Sequence, residues 1–228
     1  MSAPAAPQET SGSGGSDAST LRFVPLRAAS SAQRAAFFAI YHEALPASER
    51  KADADILTQA GRANGVLELA ELDGVAVGFL ILYRAQAYPI ALLEYLGVAA
   101  AARSGGLGAR LFAHIAALCV DRTLLIEVET DREPEAPDIA QRIRRKRFYA
   151  RQGCRQIAHL AYVMPSIGAQ APPSMDLLAL TDRVTVERTT LHGWLDDIYR
   201  HVYDQPQDDP AVTHMTEHLP DQLAFQPI

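Results

Sequence analysis

Sixteen consecutive residues, Leu96 to Leu111 (LGVAAAARSGGLGARL), carry the densest chemical signal in the chain. An apolar run there passes through a basic, glycine-rich turn into sequence with helical spacing. Glycine lets a backbone come close to a ligand, and the first amides of a helix are unpaired donors at the positive end of its dipole. Together these features bind phosphate oxygens. Gly105, Gly106 and Gly108 equally suit a plain strand-to-helix turn that needs their φ angles. Two nucleotide motifs are excluded. No Lys-Ser or Lys-Thr pair follows, as a P-loop requires, and a dinucleotide fingerprint starting at Gly106 would need a small residue where Leu111 stands.

Other clusters have plainer readings. The basic run Arg142 to Arg147 reads as a solvated helix face, with a phosphate contact as the sharper alternative. His214 and His218 have the i, i+4 spacing of a metal pair, but no third ligand is evident and Pro220 follows closely, so no metal is expected. Cys119 fits a buried helix stripe and Cys154 lacks a histidine partner, which argues against covalent thiol chemistry. With 21 Lys plus Arg against 27 Asp plus Glu, the net charge of -6 opposes nucleic-acid binding. No segment approaches the roughly 18 apolar residues of a membrane span, and the N-terminus lacks a secretory leader. A cytoplasmic protein without a disulfide framework is expected.

The loop reads Arg103-Ser104-Gly105-Gly106-Leu107-Gly108 and so resembles the acyl-CoA signature Arg/Gln-x-x-Gly-x-Gly/Ala of GCN5-related N-acetyltransferases (GNAT). A second element, FYARQG (Phe148 to Gly153), is similar to the FYxxxG of that family. Ser104 stands where glycine is common, and Cys154 replaces a frequent Phe. The resemblance implies an α/β fold of GNAT type, a mixed and mostly antiparallel sheet flanked by helices, with acetyl-CoA as cosubstrate and an amine, small molecule or peptide, as acceptor. It also implies that backbone from Arg103 through Ser104, Gly105, Gly106 and Gly108 to Ala109 holds the pyrophosphate. The strand around Val98 and Ala100 would pair with pantetheine, Gly97 would mark the bulge that splays two central strands, and the Val98 amide would polarise the thioester. Tyr149 occupies the position of the acid that protonates the departing sulfur.

An attacking amine must lose a proton, so a base or a water chain is needed. Glu94, Glu127 and Glu129 are candidates, and Glu94 comes first because alternation would put it on one strand face with Leu96 and Val98. Phe37, Phe38 and Tyr41, and the stretch from Tyr162 to Met175, are candidates to border the acceptor, although apolar helix residues are more often core. A non-catalytic acyl-CoA sensor is the alternative from another functional class.

The elements that must position these residues follow from periodicity. Residues 1–20, small and polar, read as a flexible tail, 21–203 as the acetyltransferase domain and 204–228 as an irregular C-terminal segment. The domain opens with a strand over Leu21 to Arg27. Ser30 or Ser31 caps a helix that ends near Pro46, and a second helix covers Ala52 to Arg62. Asp73-Gly74 joins two apolar runs as a hairpin. A strand follows Pro89, a helix starts at Leu107, and TLLIEVET makes another strand. The helix through Tyr149 stops at Gly153. Strands over Arg155 to Met164 and Met175 to Leu180, separated by a Pro-Pro loop, and a helix over Thr190 to Tyr203 complete the expectation.

Overall fold

The computed structural model describes residues 20–103, 105–165 and 174–228. Residues 1–19 of the expected tail, Ser104 and the Pro-Pro loop lie outside them. Apolar alternation and helical stripes resolve into β1 (Leu21–Pro25), α1 (Ser31–Ala44), α2 (Asp53–Ala60), β2 (Gly65–Leu72), β3 (Val75–Arg84) and β4 (Ile90–Val98). Then follow α3 (Leu107–Leu118), β5 (Thr123–Glu129), α4 (Ile139–Arg151), β6 (Arg155–Ile157) and β7 (Met175–Leu180). The chain closes with β8 (Thr185–Glu187), α5 (Arg188–Val202), α6 (Pro210–Thr216) and β9 (Gln222–Gln226). Among the described residues no helix is long and apolar enough to cross a membrane.

Local chemistry accounts for the ends of these elements. Ser30 and Gln33 form a reciprocal capping box at α1, each side chain bonding the other's backbone N–H. Asp73 and Gly74 both take positive φ, 51° and 82°, as the tight β2–β3 turn requires.

The strands form one sheet in the order β1-β2-β3-β4-β5-β7-β6-β9-β8, with β4 and β5 its parallel pair and all other neighbours antiparallel. Phe79, Ile81 and Tyr83 face α1, α2 and α5, while Leu80 and Leu82 face α3 and α4. Both faces are therefore buried, and the central strands read as continuous apolar runs for that reason.

Three expectations change. The C-terminal segment is not irregular: α6 packs beside α5, and β9 enters the sheet between β6 and β8. Its sequence QLAFQ alternates so that Leu223 and Phe225 reach the core, a pattern of only five residues hidden among Asp, His and Pro. The strand after Arg155 is only three residues long, and beyond it a single bridge joins Tyr162 to Met175. The basic run of α4 is mostly not solvated. Arg142 is buried against Glu133 and Asp138, Arg145 pairs with Glu129, and buried Lys146 lies 2.6 Å from Asp131 and 2.8 Å from Asp176.

Candidate active site

The site begins where β4 and β5 part. They pair from Ile90↔Thr123 to Leu93↔Ile126 and no further, so the second half of β4 has a β neighbour on one side only. The register between β3 and β4 slips by one residue there, because Ile81 faces Tyr95 while Leu82 faces Leu93. Glu94 is the extra residue. The bulge is thus at Glu94 and not at Gly97, whose role is packing: a Cβ there would lie 2.1 Å from the Phe79 ring. A bulge bends its strand and re-aims the side chains around it.

Past the bulge the backbone polarity can be followed residue by residue. The Ala99 amide donates to Val77 O at 2.9 Å, and antiparallel alternation then turns Gly97 toward β3, and Leu96 and Val98 away from it. Two amides, Leu96 and Val98, consequently face the gap. Val98 was expected from the sequence; Leu96 was not, because its exposure to the gap depends on where β5 leaves. Ala100 does not serve as expected. β4 ends at Val98, Ala100 opens a 3-10 turn, and its amide donates to the Glu43 carboxylate at 3.0 Å.

The glycine loop sits at the same end of the gap. Gly105 and Gly106 take φ of 84° and 76°, and a Cβ on either would meet nothing within 4 Å. Backbone is bare on this surface, as a cradle for a bulky anion needs. Gly106 caps α3 without a side-chain bond, and the Leu107 and Gly108 amides find no acceptor among the described residues. The Ala109 amide is already bonded to Gly106 O at 3.0 Å, so it is a weaker candidate than Leu107. Arg103 donates through Nε to Val98 O at 3.2 Å and fixes the loop against the end of β4. Ser104 lies outside the described residues.

Tyr149 enters from the α3 and α4 side. Its ring packs edge-on against Phe112 and Phe148, and burial raises its hydroxyl well above the ordinary phenol value. That hydroxyl makes no hydrogen bond to a described residue, nor is it among the occluded polar atoms that lack partners.

The carboxylates lie on the opposite face. The bulge puts Glu94 with Tyr95 and Leu92 and away from Leu96 and Val98, correcting the alternation argument that ranked it first. Its carboxylate is occupied: Lys51 Nζ lies 2.6 Å away, Gln59 Nε2 donates to the other oxygen, and the same ammonium reaches Val202 O at 3.1 Å. Glu129 pairs with Arg145. Glu127 is different, because its two oxygens accept the hydroxyls of Tyr162 and Tyr203 and, among the described residues, no hydrogen-bonded cation offsets its charge. Burial raises its carboxyl above the ordinary range, against the lowering effect of the two tyrosines.

Of the candidates for the acceptor side, Phe37 and Tyr41 take the core role instead and are fully buried. Lys51, Gln59 and Tyr203 had no signal in the sequence. They come from a polar loop, a helix and a C-cap far apart along the chain. Both cysteines are buried, with their thiols raised to about 11 (Cys119) and about 12 (Cys154), which keeps them unreactive. His214 and His218 are exposed beside Glu217, and the described residues contain no cluster able to hold a metal ion.

The model of the acetyltransferase (GNAT) family matches residues 32–154, over half the chain. The chain belongs to that family. Its match spans α1 to the end of α4 and so includes the glycine loop, the gap and Tyr149. Among solved structures, a GNAT-family protein from Bacteroides thetaiotaomicron is 20% identical with a TM-score of 0.66. The alignment covers 81% of this chain and 99% of that one. Escherichia coli ElaA is 12% identical with a TM-score of 0.51, covering 72% of this chain and all of its own. At such identities the likeness speaks for the fold. No curated protein matches in sequence. This GNAT chain has the family's mixed, mostly antiparallel sheet flanked by helices, and the family and fold support acetyl-CoA-dependent acetyl transfer in general.

Proposed function

We propose that the protein is an N-acetyltransferase that moves an acetyl group from acetyl-CoA directly to an amine. The observation that carries this reading is the gap between β4 and β5, with two backbone amides aimed into it, a buried phenol on one face of the sheet and a carboxylate held by two tyrosine hydroxyls on the other. Bound acetyl-CoA supplies the acyl group already activated as a thioester.

The residues present fit that cosubstrate. The bare backbone at Gly105 and Gly106, with the Leu107 and Gly108 amides, suits the pyrophosphate. The Leu96 and Val98 amides favour negative charge on an acyl oxygen, and one such oriented donor in a dry site is worth about 3 kcal/mol. Tyr149 holds a proton on its hydroxyl because burial disfavours the phenolate, and it can yield that proton to a departing thiolate. Glu127 takes the proton of the amine. Burial raises its carboxyl above the ordinary range, which makes its carboxylate a stronger base than an ordinary one. Glu94, paired with Lys51, is not the base for an added amine.

The test is a panel of amine acceptors with acetyl-CoA, followed by detection of free thiol, beside calorimetric titration of acetyl-CoA. Acceptor-dependent thiol release is expected. Tight binding without turnover on any amine would overturn the catalytic reading in favour of an acyl-CoA sensor.

A further inference from the structure

The chain has 21 basic residues, and only two of them, Lys51 and Lys146, are lysines. Their surroundings differ in kind. Lys146 is closed in by Asp131 and Asp176 on the inner side of α4. Lys51 lies on the face of the sheet that carries Glu94 and Glu127, with its ammonium 2.6 Å from Glu94 and 6.0 Å from the centre of the Tyr203 ring, whose hydroxyl binds Glu127.

Resting on the transfer reading above, we infer that Lys51 is itself an acceptor, a self-acetylation site facing the gap. The argument is one of reach and pairing. Glu94 precedes Leu96 by two residues, about 7 Å along a strand, so the amine held by Glu94 lies beside the same stretch of β4 as the oxyanion amides, and rotation of its four methylenes is the movement that would bring it to them. A nucleophile hydrogen-bonded to a carboxylate that can take its proton is also the arrangement covalent chemistry needs. Over the whole step the ammonium loses two protons. The freed nitrogen pair forms the C–N bond as the C–S bond breaks, one proton ends on the sulfur, and the other leaves through Glu94 to solvent.

Acetylation would have a local cost. The Lys51 charge offsets Glu94, whose side chain is 3% exposed, and it also ties Val202 at the end of α5 to α2 through Gln59 and Glu94. An acetylated Lys51 would leave that carboxylate buried without a cation and loosen the end of α5, which delivers Tyr203 to Glu127.

The full chain is incubated with acetyl-CoA and no added amine, then analysed by intact mass and peptide mapping, once folded and once in urea. In the folded protein one acetyl group is expected on Lys51, at least about tenfold above Lys146, because positioning by the fold is what favours it. In urea the two lysines should react alike. The Lys51-acetylated chain should melt below the unmodified one, and Lys51→Arg, which keeps a cation for Glu94, should take up no acetyl group at that position and melt near wild type. Equal modification of both lysines in the folded chain, or none at Lys51 while an added amine is acetylated, would overturn this proposal and leave the transfer reading standing. Absence of transfer to Lys51 and to every added amine would overturn both.

Discussion

Tyr203, the residue that closes α5, donates its hydroxyl to Glu127 in the middle of β5, 76 positions earlier in the chain. The bond joins a C-terminal helix, outside the segment the family model matches, to the carboxylate proposed as base. It stabilises the ionised form and so lowers a pKa that burial raises. Tyr203→Phe removes the donor, so the Glu127 pKa should rise. The acid limb of the pH–rate profile should move to higher pH, with acetyl-CoA affinity unchanged by calorimetry. An unmoved limb would detach Glu127 from the rate.

Glu127→Gln keeps an acceptor for one tyrosine hydroxyl and turns an amide donor toward the other, while removing the base. Turnover should fall about 10²-fold or more, and the acid limb should vanish. Stability supplies an independent check. A carboxyl whose folded pKa lies above its unfolded value of about 4.3 binds more protons when folded, so its stabilising contribution is complete at low pH and is lost as pH rises through the folded pKa. Urea melts across that window should show wild type losing stability relative to the Gln variant as pH increases.

Tyr149→Phe removes a hydroxyl that has no described hydrogen-bond partner and leaves the packing against Phe112 and Phe148 intact. The melting temperature should hold or rise slightly, since no hydrogen bond is lost. Turnover at saturating substrates should drop roughly 10²-fold, while acetyl-CoA binding stays near wild type. Normal turnover with chemistry rate-limiting would make Tyr149 a packing residue.

Gly106→Ala and Gly108→Ala separate strain from contact. Gly106 has φ of 76°, where an added Cβ costs about 1 kcal/mol, and its methyl would project onto the proposed phosphate surface. Both stability and acetyl-CoA affinity should fall. Gly108 lies in α3 at an ordinary helical φ, and a methyl there would sit 3.7 Å from the Phe148 ring, an ordinary contact. That variant should gain up to about 1 kcal/mol in urea melts and keep its affinity, in line with a motif that accepts Gly or Ala there.

Asp176 is fully buried and accepts from Arg132 at 2.6 Å, Lys146 at 2.8 Å and Gln156 at 2.9 Å. Asp176→Ala strips the buried Lys146 of one of its two carboxylates. A loss of about 3 kcal/mol is expected in denaturant melts, the usual result of removing one partner of a buried pair. A change under about 1 kcal/mol would mean that Asp131 alone satisfies the ammonium.

The sequence by itself determined the elements whose information is local. The turn at Asp73-Gly74, the Ser30 cap, the α3 and α4 stripes and the glycine loop each depend on residues a few positions apart, where φ preference and side-chain periodicity act directly. The loop and the FYARQG element could be joined into one family resemblance because both motifs are contiguous. Only the tertiary structure decided which amides and carboxylates work together. One extra residue at Glu94 reverses which side chains share a face, and nothing in LLEYLG marks it, because a bulge belongs to the pairing of two strands and not to either alone. The same holds for Glu94, Glu127 and Glu129. They are alike in sequence, yet Glu94 is neutralised by Lys51, Glu127 is raised by burial against the lowering effect of two tyrosine hydroxyls, and Glu129 is ion-paired with Arg145, surroundings that only folding brings near. Charge and proton affinity at a buried site are set by neighbours in space, and those neighbours here come from every part of the chain between Lys51 and Tyr203.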